Sequence, residues 1–225
     1  MHQLRLGASD SWTQRRPTKS RVDTRFRVNL ICDAGVPASG QLMKHVSRAT
    51  GRQVAFVASM GALGNVLALL TVSIPTPISQ VAPDLSHVAT LIVALSYGPL
   101  FGGVTGAIVS FVPFYRFGVV GWFGPFLGFL IIPFKSLTGI TAGFLGRRMR
   151  PAFATLLGYV PECLCTYLYF VWMVPFFLPE VAPFVTQAFV LVVLSKAWFE
   201  LGIIAVVMEA VARRHILSRI REATA

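Results

Sequence analysis

Between about residues 53 and 212 the chain is almost continuously apolar, and each run is about long enough to cross a hydrocarbon core roughly 30 Å thick. Only short stretches bearing proline, glycine or charge separate the runs. A soluble domain carries roughly a quarter charged residues. This chain has 13% charged residues, 55% hydrophobic ones and a mean hydropathy of +0.68. The pattern predicts an all-α integral membrane protein.

Six spans are expected, over about 53–73, 86–98, 101–116, 122–146, 152–178 and 184–211. The second is short, and the sixth is expected to continue past the membrane into "RRHILSRIREA". Residues 1–52 form a basic arm without sustained periodicity or a signal-peptide core, read as cytoplasmic and disordered. Met43 lies about ten residues before the first span and is a second candidate start. The chain thus divides into the arm, a membrane domain over 53–215 and a short tail over 216–225.

The net charge of +11 raises the question of nucleic acid, and its distribution answers it. Ten of the twenty Lys and Arg lie in residues 1–52, three in "GRRMR" (Arg147, Arg148, Arg150), and four after the last span (Arg213, Arg214, Arg219, Arg221). All seventeen flank apolar spans, as expected of cytoplasmic segments. Only Trp12 and Phe26 interleave with them, too sparse a set of aromatics for a nucleic-acid reader. Both termini are therefore expected on the cytoplasmic side of the cell membrane. Loops 74–85, 115–121 and 179–183 fall outside, with Arg116 as their one basic residue.

Cys163 and Cys165 are two residues apart and point about 200° away from each other on a helix. With Cys32 in the polar arm, three free thiols are expected rather than a disulfide or metal site. The sequence holds no GxxxxGK[ST] loop, no HExxH, no GxSxG and no clustered His/Cys ligands.

The informative residues are ionisable groups inside the spans, because burying them in lipid costs several kcal/mol unless they pair or line a wet cavity. Lys135, Glu162, Lys196 and Glu200 qualify. Lys196 and Glu200, spaced i, i+4, share one helix face. Two readings compete: a neutral ion-pair clasp, or the walls of a polar ligand cavity. Pro133 and Pro161 lie just before Lys135 and Glu162, and prolines there free backbone groups that need partners in the protein or in water. That favours the cavity.

Asp84 and His87 stand one helical turn apart where the second span begins. Asp84 can cap that helix by accepting free backbone N–H groups. His87 faces the cavity mouth as donor, acceptor or cation. Asn65 is a weaker candidate, since a lone Asn in a span often only bonds a neighbouring helix. Among the aromatics Tyr159, Tyr167, Tyr169, Trp172 and Trp198, Tyr167 and Trp172 are taken as substrate-binding. Small residues repeat every fourth position at Ala58/Ala62, Gly102/Gly106 and Gly139/Gly143, which lets helices approach closely in lipid.

In order, "AFVASMGALG", a proline-rich loop with "DLSH", "YGPLFGGVTGAIVS" and "PFKSLTGITAGFLGRR" resemble the substrate-binding S components of energy-coupling factor (ECF) transporters. The likeness covers about residues 50 to 215. It implies a six-helix bundle that captures a vitamin, a vitamin precursor or a metal ion from outside. The ligand then passes inward by docking on a transmembrane coupling (T) component driven by two ABC-type ATPases. The family's AxxxA docking motif matches Ala58 and Ala62, and its first outer loop, here around Asp84 and His87, helps cap the site. Cobalt and nickel members begin Met-His and use that terminus as ligand. Here Met1-His2 precedes a long basic arm that would have to cross the membrane, so no metal site is expected, and no cofactor either. Two other readings remain: a membrane enzyme acting on a lipid or isoprenoid with Lys196/Glu200 as an acid–base pair, and a permease working alone.

Overall fold

The computed structural model describes residues 51–72, 84–121 and 123–224, and every regular element among them is helical. The basic arm with Met1, His2, Cys32 and Met43, the proline-rich loop 73–83 and Trp122 lie outside the described residues. Helices α1 (Gly51–Val72), α2 (His87–Tyr97), α3 (Pro99–Val120), α4 (Gly124–Leu145), α5 (Pro151–Phe177) and α6 (Gln187–Arg213) are followed by a short α7 (Ile216–Thr224).

Five of these are long and apolar enough to cross a membrane: α1, α3, α4, α5 and α6. The expected second span is α2, whose eleven residues extend only about 16 Å at 1.5 Å per residue. Its composition suits another setting. Seven of the eleven are buried, including His87, Thr90, Leu91, Val93 and Ser96, because α1, α3, α4 and α6 all pack against it. A helix apolar on all sides belongs in an interior, and α2 is the central element of this bundle.

Two chemical devices fix its surroundings. Gly98 turns the chain between α2 and α3 at φ 93°, a backbone conformation that favours glycine, and Pro99 starts α3 where its missing N–H costs nothing. The small-residue pairs on α3 and α4 bring those helices into backbone contact. A Cβ on Gly139 would collide with the Gly102 carbonyl oxygen, and one on Gly106 would lie 2.6 Å from the Lys135 carbonyl oxygen. That close approach carries Lys135 into the bundle interior. Asn65 ties α1 to α3: its Nδ2 donates to the Ile108 carbonyl (2.8 Å), and its Oδ1 accepts from the Val112 N–H (3.0 Å).

α1 turns Val57, Gly61, Gly64, Ala68 and Thr71 inward, a stripe spaced alternately by four and three. Ala58 and Ala62 are on its exposed side. The outer surface is strongly apolar, with Phe176, Phe199 and Val206 each at least 70% exposed, as suits contact with lipid. The expected extension of α6 does not occur. The helix stops at Arg213, His215 takes φ 55°, and α7 folds back on the C-terminal end of α2. There Arg221 Nε donates to the Ser96 carbonyl (3.0 Å), placing a cation where the α2 dipole is negative.

α3 runs four residues beyond its expected end. Its last stretch, Tyr115–Val120, is a π-helical turn in place of the expected loop. A second π turn, Tyr169–Met173, lies inside α5.

Candidate functional site

The bundle end away from α7 encloses a cavity of about 460 Å³. Six of the eight residues expected to bind substrate line it: Asp84, His87, Lys135, Glu162, Lys196 and Glu200. Their pairing differs from the expected four-residue network. Lys135 Nζ donates to Asp84 Oδ2 (2.5 Å) and to Ser86 Oγ (2.7 Å) rather than meeting Glu162. The reason is the turn before α2, which folds Asp84 down over α4 and brings a carboxylate from outside the spans to the buried ammonium.

Asp84 joins three elements. Its Oδ1 accepts from the Ser86 N–H (3.1 Å), so it satisfies a free donor at the start of α2, and it also accepts from the Ser86 hydroxyl. Its own N–H donates to Glu200 Oε2 on α6 (3.2 Å). Burial pushes the Asp84 carboxyl up, but the Lys135 ammonium and His87 beside it, with the donated bonds from Lys135 and Ser86, hold it well below the usual carboxylate range.

On α6, Lys196 Nζ lies 3.3 Å from Glu200 Oε1, the i, i+4 pair read from the sequence. Glu162 on α5 is buried and accepts from the Thr138 hydroxyl. His87 Nε2 stands between two carboxylates, 3.7 Å from Glu162 and 3.9 Å from Asp84. The imidazole edge meets Tyr159, which meets Trp198 in turn, and Trp198 Nε1 donates to Cys163 Sγ (3.3 Å). Cys163 and Cys165 are free thiols.

The two aromatics chosen from the sequence are not among the lining residues. Trp172 is 71% exposed and Tyr167 is 37% exposed, both on the outer surface of α5. Helical spacing accounts for their placement. Tyr169 lies seven positions after the inward Glu162, on the same face, whereas Tyr167 lies five positions after it, about 140° round the helix. In the π turn that starts at Tyr169, Phe170 faces the cavity while Trp172 faces out. Tyr169 and Phe170 pack edge to face with Phe123, and Tyr169 also meets Phe134, giving the cavity an aromatic wall.

Arg116, absent from the chosen residues, also lines the cavity. The sequence did carry a signal for it: it is the lone basic residue among the segments expected outside. Among the described residues no cluster of three or more His, Cys, Asp or Glu is placed to hold a metal ion.

The arrangement is a pocket with one densely charged wall and one aromatic wall, built from six helices and the turn before α2. It can hold a small molecule through charge-assisted hydrogen bonds and ring contacts. No protein-family model matches the sequence, no curated protein shows significant similarity to it, and no solved structure matches its fold.

Proposed function

We propose that this chain is a membrane substrate-binding protein, the S component of an ECF-type importer, taking a small water-soluble micronutrient such as a vitamin or vitamin precursor. One observation carries the reading: within an apolar bundle, six ionisable side chains from the turn before α2 and from four helices converge on one cavity. Charged groups in a membrane-embedded interior mark a ligand or ion path by default. A structural clasp alone would need no 460 Å³ of space beside it.

The exposed position of Ala58 and Ala62 supports docking of α1 on a coupling component, since the inward side of α1 is formed by Val57, Gly61 and Gly64 instead. In this reading both termini are cytoplasmic, α2 counts as the sixth crossing, and the cavity opens outward. Energy comes from two partner ATPases.

Affinity purification of the full chain from its native membrane tests this directly. Recovery of a multi-pass coupling subunit and ABC-type ATPases, with a small polar molecule detected by mass spectrometry, is the expected outcome. Recovery of the chain alone, with turnover of a lipid substrate, would move it to the enzyme class.

A further inference from the structure

Resting on the cavity being a binding site, we infer that its occupant is a flat dipolar molecule, with a cationic nitrogen beside Glu162 and a carboxylate beside Arg116. Two positions whose charges are unmatched among the described residues lead to this.

The first is Glu162. Lys135 is committed to Asp84 at 2.5 Å and Lys196 to Glu200 at 3.3 Å. Three carboxylates therefore face two ammonium groups, and Glu162 is left with the Thr138 hydroxyl and the His87 imidazole 3.7 Å away. Among the described residues no lysine or arginine lies within ion-pair distance of it. A carboxylate buried in that state is unfavourable, and a ligand ammonium or amidinium would complete it with a charge-assisted bond.

The second is Arg116. It is the one basic residue in a segment that the charge distribution places outside, where lysine and arginine are depleted. It sits on the π turn Tyr115–Val120 and lines the cavity, and its contact there is with the Phe117 ring, 5.5 Å from the centroid. No carboxylate among the described residues pairs with it. π turns recur at functional sites, and this one brings to the pocket a guanidinium unmatched among the described residues. The same cavity is lined by the aromatic wall of Phe123, Phe134, Tyr169 and Phe170, which suits a planar body.

Four matched probes separate the charge pattern from mere binding: para-aminomethylbenzoate, para-methylbenzylamine, para-methylbenzoate and para-methylbenzyl alcohol. Each is titrated into the detergent-purified full chain, with thermal unfolding run in parallel to verify folding. The zwitterion should bind tightest. Glu162→Gln, which can still accept from Thr138, should reduce its affinity to that of the anion, and Arg116→Gln to that of the cation, each by roughly tenfold or more. Arg116→Lys should restore part of the second loss. If the alcohol binds as well as the zwitterion, the charge assignment is overturned while the cavity stays a binding site. Binding of none of the four to folded protein removes the binding-site reading itself.

Discussion

Lys135 Nζ lies 2.5 Å from Asp84 Oδ2, so a cation halfway along α4 is held by a carboxylate on the turn that begins α2. The two partners are unequally buried: the Lys135 side chain is 6% exposed and that of Asp84 is 31% exposed. Removing the carboxylate therefore strands a charge that water barely reaches, whereas removing the ammonium leaves a carboxylate that water can solvate.

An asymmetry between two substitutions follows. Asp84→Asn should lower stability by about 3 kcal/mol, the low end for breaking a buried pair. Lys135→Met should cost clearly less, and the double substitution should recover part of the Asp84→Asn loss. Thermal unfolding in detergent measures all three. Equal losses in the two single variants would show that Asp84 is as desolvated as Lys135.

Glu200 separates ligand binding from bundle stability. Its carboxylate accepts the Asp84 N–H and pairs with Lys196, whose side chain is 25% exposed. Glu200→Gln should thus leave the melting temperature nearly unchanged. Ligand affinity should fall roughly ten- to a hundredfold, the worth of one charge-assisted hydrogen bond. A lowered melting temperature with intact affinity would assign the pair to a structural clasp.

The small-residue pairs should respond in opposite ways. Ala58→Leu or Ala62→Leu adds volume on an exposed face of α1, so folding and ligand binding should persist while assembly with a coupling component is lost. Gly139→Ala instead drives a methyl into the Gly102 carbonyl. It should destabilise the isolated protein by about 1–3 kcal/mol or more, as overpacking does, and weaken binding through the displaced Lys135. Co-purification and melting curves distinguish the two classes.

Topology is open to chemical labelling in a background lacking Cys32, Cys163 and Cys165. Cysteines replacing Arg5 or Glu222 should react with a membrane-impermeant reagent only after permeabilisation. One replacing Glu180, exposed between α5 and α6, should react in intact cells. The reverse pattern would invert the bundle.

Much of the site was legible because isolated charges stand out in an apolar chain. Lys135, Glu162, Lys196 and Glu200 had to find partners, and Asp84 and His87 marked the start of the short helix. Their pairing was not legible. It depends on the turn at Asp84–Ser86 folding onto α4, a contact between residues 51 positions apart that no periodicity encodes. The aromatics show the same limit. Helical spacing from Glu162 favours Tyr169, seven positions on, over Tyr167, five positions on, but only the packed bundle shows that the face of Glu162 is the one that meets the cavity.

The sequence by itself determined that the described segments are helical and apolar enough for a bilayer, because in lipid every backbone group must be satisfied within its own helix. It also determined which charges would be exceptional. Tertiary structure alone decided that α2 is a buried central element, that Lys135 meets Asp84, and that Arg116 and Tyr169 face one cavity. Those outcomes follow from how closely α3 and α4 approach through glycine, from the turn before α2 lying over α4 and from the π turn that carries Arg116, and all three are properties of packed helices rather than of any one segment.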